Sequence, residues 1–173
     1  IVFAQEVYID RSDFMIDPPA KYFRLKPNGD VRLRNGYVIT CTDYSTDDNG
    51  QVTEIRAQYH PETLGGKKPA DGRKVKGIVH WVAVKNSITA EVRLYDRLFK
   101  TENPAAEADF IDSINPHSLT KITNAKCEID LNDISPEAHF QFTRVGYFCA
   151  DRYDHQPGKP VFNRIVELRK TWK

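Results

Sequence analysis

Long apolar runs are missing from this sequence. Mean hydropathy is −0.57, and no stretch approaches the roughly 18 residues that a membrane-spanning helix needs, which excludes an integral helical membrane protein. Cysteine is scarce. Cys41, Cys127 and Cys149 are the whole complement, an odd number without Cys-x-x-Cys spacing. That argues against a disulfide framework and a zinc knuckle, and points to a reducing cytoplasm. Neither sign of charge dominates: 25 Lys and Arg face 24 Asp and Glu, for a formal net charge of +1. A uniformly basic coat protein for nucleic acid and an acidic disordered chain are both excluded, while clustering still permits a local basic face. The opening Ile1-Val2-Phe3-Ala4-Gln5-Glu6 has no charged leader before an apolar stretch, and a first residue other than Met suggests a piece of a longer chain.

What is present suffices for one domain or two small ones: 173 residues, 40% hydrophobic and 28% charged. The patterning is that of strands. Val31-Arg32-Leu33-Arg34 alternates strictly, and Tyr37 to Cys41 continues with β-branched and aromatic residues. Asp47-Asp48-Asn49-Gly50 predicts a hairpin turn of the primed type, with Val52 to Tyr59 as the return strand. Further strands are expected over 77–84, 89–95, 119–125, 139–142, 147–150 and 161–168. One helix is expected, Ala105 to Ile114, ended by Asn115-Pro116. Many short strands with frequent turn signals predict a mainly β fold of barrel or sandwich type. Two turn-rich loops, Pro61 to Lys76 and Asp151 to Pro160, mark boundaries. Between them lie about eighty residues, enough for one small barrel, and the segments outside would form a second, discontinuous barrel.

Catalytic motifs are absent. His60, His80, His117, His139 and His155 stand far apart, with no His-Glu-x-x-His pattern and no cysteine at ligand spacing, so they read as surface or hydrogen-bonded histidines. Gly65-Gly66-Lys67-Lys68 lacks the spacing of a phosphate-binding loop, and no Gly-x-Ser-x-Gly occurs. The sequence presents no catalytic residue and no metal site.

Its polar residues suit RNA better. Arg32 and Arg34, two apart on an expected strand, share a face opposite Val31 and Leu33. Lys21, Tyr22 and Arg24 precede them across a Pro27-Asn28-Gly29-Asp30 turn. A guanidinium forks onto a base edge or a phosphate, and a tyrosine stacks on a splayed base. Near the other end, Gln141 lies between Phe140 and Phe142, followed by a turn at Thr143-Arg144-Val145-Gly146, while Glu167, Arg169 and Thr171 share one face of the last strand. A glutamine amide both donates and accepts, so it reads base edges. Solvent-facing arginines and glutamines are common on strands, and spacing alone leaves both readings open.

Longer segments narrow the choice. Val-Arg-Leu-Arg-Asn (31–35), Ala-Asp-Gly-Arg-Lys-Val-Lys-Gly (70–77) with Ile78-Val79-His80-Trp81, the run from Glu91 to Phe99, the run from Phe140 to Cys149 and the run from Val161 to Trp172 together resemble the C-terminal anticodon-binding region of glutaminyl-tRNA synthetases. The resemblance extends from Glu6 to Trp172. It implies two β-barrels akin to ribosomal 5S-rRNA-binding proteins: a proximal one from 1–76 and 155–173, lacking its first strands, and a distal one from 77–154. The full-length enzyme is a class I ligase joining glutamine to its tRNA with ATP and Mg²⁺. Its nucleotide-binding fold and its HIGH-like and KMSKS-like signatures are expected upstream, so no cofactor and no activity are expected of this region alone. The implied partners are the anticodon loop of glutamine tRNA and the catalytic domain of the same chain, with no DNA and no membrane. Family contacts to the first anticodon base match Arg32 and Arg34. The third-base contact matches Arg24, flanked by Lys21 and Tyr22. The middle-base pocket matches Gln141, Arg144, Arg169 and Thr171. Position 23 is Phe where some members carry lysine.

Two other readings share this fold. An archaeal- or eukaryotic-type glutamyl-tRNA synthetase has related barrels, but Gly146-Tyr147-Phe148-Cys149 and the Leu168 to Trp172 ending favour glutamine. A ribosomal 5S-rRNA-binding structural protein would be smaller and would lack the second barrel.

Overall fold

The computed structural model describes residues 2–168. The chain is mainly β and divides at Lys85/Asn86 into two units, each with its own core.

In the N-terminal unit, β1 (Val7–Ile9) pairs antiparallel with β6 (Trp81–Ala83). A second sheet has the order β4-β3-β2-β5 and is built from β2 (Asp30–Leu33), β3 (Val38–Thr46), β4 (Val52–His60) and β5 (Ile78–Val79). Only β2 and β5 run parallel in it. The two-residue period sends Val31 and Leu33 of β2 inward, where they pack with Phe14, Leu25, Ile39, Val79 and Trp81. Each such fully buried side chain contributes about 1.5–3 kcal/mol. The β3–β4 connection folds back at Asp47, whose carbonyl accepts from Gly50 N at 2.9 Å and whose carboxylate accepts from the backbone N–H groups of Asn49 and Gln51. Gly50 alone takes a left-handed φ, 75°, while Asn49 does not. The turn is therefore closed by a single left-handed glycine and is not the primed two-residue turn that Asn-Gly suggested. The carboxylate of Asp47 satisfies the turn without twisting Asn49.

The C-terminal unit holds a five-stranded sheet in the order β8-β7-β11-β10-β9, with β7 (Ser87–Tyr95), β8 (Leu119–Glu128), β9 (His139–Phe142), β10 (Gly146–Ala150) and β11 (Val161–Glu167). β11 runs parallel to β7 and antiparallel to β10. Phe148 and Phe162 are completely buried and pack with Ala90, Val92, Cys127 and Ala150. Burial pushes the Cys127 thiol up to about 11. Arg93 ties β7 to the loop after β10, its Nη1 at 3.2 Å from Asp151 Oδ2 and its Nη2 at 2.6 Å from Asp154 Oδ2.

Two further expectations differ from this arrangement. Residues 105–114 form 3-10 turns at Pro104–Ala106 and Phe110–Ser113 in place of one helix. Phe110 and Ile111 stay exposed, so a helix there would have no buried face to offset its nucleation cost. The boundaries also move. Residues 78–83 belong to the N-terminal unit because β5 and β6 pair with β2 and β1, and 161–167 belong to the C-terminal unit because β11 lies between β7 and β10. Turn-rich loops mark where the chain bends, whereas strand pairing decides which unit a segment joins.

Gly77 is held by space. A Cβ there would lie 1.7 Å from the Phe23 carbonyl oxygen. Gly77→Ala should therefore cost more than about 4 kcal/mol in urea denaturation, whereas Gly50→Ala, with open space around it, should cost about 1–2 kcal/mol from its φ alone. In the other unit, a hydrogen bond from Asn163 Nδ2, then those from the Asp154 and Tyr153 backbones and the Arg93 charge, hold the Asp151 carboxyl down at about 2 from an ordinary 3.8. Because its folded value is depressed, the stabilisation is present above about 4 and is lost as pH falls to about 2. Denaturation midpoints taken across that window should fall more steeply for the native chain than for Asp151→Asn.

Candidate nucleic-acid interface

In the N-terminal unit a cleft of about 490 Å³ is lined by Pro18 to Arg24 on one side and by Lys74 to Gly77 on the other. Its charged lining is Lys21, Arg24, Lys26, Lys74 and Lys76 against Asp30 alone. That carboxylate is itself compensated. Arg73 Nε lies 2.5 Å from Asp30 Oδ2, its Nη2 reaches Asp30 Oδ1 at 3.3 Å and Thr40 Oγ1 at 3.4 Å, and Nη1 binds Asp71. Burial raises the Asp30 carboxyl, but the hydrogen bonds from Arg73 and Thr40 and the Arg73 charge outweigh it and hold the group below its ordinary value. The same contacts fix the glycine- and lysine-rich loop to β2 and β3, so Lys74 and Lys76 stand at the cleft instead of swinging free.

The facing wall is built on a neighbouring turn. Tyr22 Oη donates to the Ser12 carbonyl at 3.2 Å. Arg24 Nη1 donates to the same carbonyl at 3.0 Å, and Arg24 Nε lies 3.1 Å from Asp13 Oδ1. Lys21 takes φ 67°, so the chain reverses just before these side chains. Phe23 is half exposed, with Lys76 Nζ 5.0 Å from its ring centroid. A cationic lining around an exposed aromatic ring and a tyrosine suits a nucleotide, whose phosphate and base need charge and a flat partner respectively.

Arg32 and Arg34 part company. β2 ends at Leu33, and Arg34 sits exposed in the Leu33–Gly36 turn, with no side-chain partner among the described residues. Asn35, at φ 55°, completes that turn. Arg32 stays on the strand, half-buried, and its guanidinium is taken up by backbone: Nη1 donates to Thr63 O at 2.7 Å and Gly36 O at 3.3 Å, and Nη2 donates to Lys67 O at 2.5 Å. The shared face expected from their spacing is not what the backbone provides. Arg32 staples the 61–67 loop, and Arg34 is the one left available to a ligand.

In the C-terminal unit Gln141 is exposed on β9, opposite Tyr147, with Phe140 and Phe142 turned toward the core as expected. Arg144 lies in the β9–β10 turn at φ 70°, where Val145 N donates to Phe142 O at 2.9 Å. The turn reverses the chain, placing Arg144 at the tip of a hairpin. Arg169 and Thr171 lie outside the described residues.

Two family models, both described as tRNA synthetases class I (E and Q), anti-codon binding domain, match residues 1–60 and 78–151. The chain belongs to that family. Among curated relatives of this anticodon-binding family, the glutamine–tRNA ligase of Pseudomonas syringae pv. tomato is 52% identical over 173 residues, covering 98% of this chain and 30% of the relative. That of Cupriavidus metallidurans is 52% identical over 170 residues, with 98% and 29% covered, and that of Azotobacter vinelandii is 50% identical over 173 residues, with 98% and 31% covered. The chain thus spans about 30% of the length of the curated relatives it matches. Among the described residues no group of His, Cys, Asp and Glu is disposed to hold a metal ion, and the cationic cleft is a donor set for phosphate, not for Mg²⁺ or for a second cation.

For a member of the anticodon-binding family, the sequence left part of this cleft unread. Lys74 and Lys76 stood in the 70–77 segment without a base assigned to them, and Phe23 stood out only as a departure from lysine. Gly77, directly before a strand, was the available signal of a close backbone approach. The different surroundings of the two β2-region arginines have a measurable consequence. Arg32→Ala should lower stability by about 2–4 kcal/mol, since it strips three carbonyls of their donor. Arg34→Ala should stay within about 0.5 kcal/mol of the native chain. Paired urea denaturation curves check both.

Proposed function

We propose that this chain is the anticodon-binding region of a glutaminyl-tRNA synthetase and grips the anticodon loop of glutamine tRNA, so that the full-length enzyme attaches glutamine in a reaction that consumes ATP with Mg²⁺. The observation that carries the reading is the agreement of 50–52% identity to glutamine–tRNA ligases over nearly the whole chain with a cationic, aromatic-lined cleft. Arg34, Arg24 and Gln141 are the base readers in this reading, with Lys21, Tyr22 and Arg144 beside them and Arg169 and Thr171 contributing from the last segment. Arg32, expected from the family to touch the first base, acts through the loop it staples. The catalytic domain of the same chain is the second partner, and the cytoplasm is the compartment. No helix among the described residues is long and apolar enough to cross a membrane.

A base read by a polar group that loses its water on binding is discriminated because the wrong base leaves that group unpaired. Phosphate contacts by lysines add affinity without sequence preference. Binding of the chain to glutamine tRNA, followed by fluorescence anisotropy, should weaken with salt at a log–log slope of about −1.5 to −4, the range for two to four phosphate contacts. Arg34→Ala and Gln141→Ala should each cost about 1–3 kcal/mol on the cognate anticodon and relax preference at one base, whereas Lys76→Ala should weaken all tRNAs about equally. Salt-independent binding, or equal affinity for an anticodon-swapped tRNA, would sink the reading. Preference for glutamate tRNA would redirect it to the sister specificity of the same family.

A further inference from the structure

Asp13 has no exposed surface, yet it pairs with Arg24, which is 41% exposed at the side chain and lines the cleft. The 3-10 turn Arg11–Asp13 meets that arginine twice, through the Asp13 carboxylate at Nε and the Ser12 carbonyl at Nη1, and it also receives the Tyr22 hydroxyl. The backbone holds the two segments together: Leu25 N donates to Asp13 O at 3.0 Å and Met15 N to Leu25 O at 3.2 Å. Arg24 Nη2 has no partner among the described residues. A buried carboxylate is an expensive way to stabilise a fold, since apolar residues of similar volume often do as well or better. Its use here is geometric. With Nε and Nη1 both held, the guanidinium plane cannot turn, and the N–H groups of Nη2 are left in one orientation.

We propose that Asp13 is a positioning residue for nucleotide recognition, fixing Arg24 so that its free nitrogen meets a base edge in the cleft. This rests on the reading of the cleft as the anticodon site and adds to it a statement about what kind of contact Arg24 makes. Because Asp13 compensates its charge, Arg24 contributes less as a phosphate counter-charge than Lys74 or Lys76. It serves as a directed hydrogen-bond donor, which is the feature that separates one base from another.

The test uses the full chain and a set of glutamine tRNA transcripts, each substituted at one anticodon position. Arg24→Ala should lower discrimination at a single position by about 5- to 150-fold, the range for losing one direct base contact, with little change in salt slope. Asp13→Asn, nearly isosteric, should lower discrimination at that same position within the same range and leave the other two positions unchanged, a pattern that general loosening of the fold would not produce. The double variant should be no worse than either single one, because both remove one shared contact. Should Asp13→Asn fail to fold, Arg24→Lys carries the test: it keeps a charge for Asp13 but replaces the planar fork with a single rotatable ammonium, whose third N–H is not held in the orientation of Nη2, so discrimination should fall as for Arg24→Ala. Discrimination retained in Asp13→Asn, or in Arg24→Lys, while Arg24→Ala loses it overturns the positioning role. If Arg24→Ala alters no position, the anticodon reading of the cleft fails instead.

Discussion

A backbone contact between Phe23 and Gly77 sets the shape of the cleft in the N-terminal unit. The Phe23 carbonyl occupies the place where a side chain on residue 77 would begin. Two segments far apart in sequence are brought to van der Waals distance there, and the flanking residues diverge to become the walls of the cleft. Phe23 is turned outward under Lys76, and Arg24 follows against the Ser12–Asp13 turn. The parallel pairing of β5 with β2 begins immediately after Gly77, so the same approach also registers the sheet.

Charge in this molecule is arranged by cancellation. A chain with a formal net charge of +1 has no global attraction for RNA, and any such attraction must be local. In the cleft the positive lining is left uncompensated because its acids are neutralised individually. Asp30 is held by Arg73, and Asp13 is buried behind Arg24, while the lysines facing solvent have no carboxylate opposite them in the lining. The arginines are divided between two tasks. Arg32, Arg73 and Arg93 each bind several acceptors of their own chain, and Arg34 is left without one among the described residues.

Much of the strand pattern was legible because alternation reflects burial directly: Val31 and Leu33 face inward, and so do Phe140 and Phe142. The mainly β class and nearly every strand follow from it. What the pattern could not convey was partnership. Residues 77–84 read as one strand, yet His80 separates β5 from β6, which pair with different neighbours in different directions. Period two also says nothing about where a strand stops, so it put Arg32 and Arg34 on one face, whereas the turn at Leu33–Gly36 separates them. The residue types lining the candidate cleft were legible, Lys21, Tyr22 and Arg24 among them. Asp13 was invisible, since a lone aspartate in a polar stretch carries no sign that it will be buried against an arginine of the cleft.

Pairing between the first and last strands of the N-terminal unit has a consequence for how the protein is made. Val7 finds its partner only when Ala83 has been synthesised. At translation speeds of about 5–20 residues per second, that is an interval of roughly 4–15 s. For most of it Val7 and Ile9 have no strand to cover them, and until Gly77 emerges the Phe23 carbonyl has no glycine to meet. The β2–β3–β4 meander is local in sequence and can form meanwhile, as a platform awaiting its edges. On the ribosome this unit is therefore closed from its C-terminal end, and the cleft is among the last features to exist.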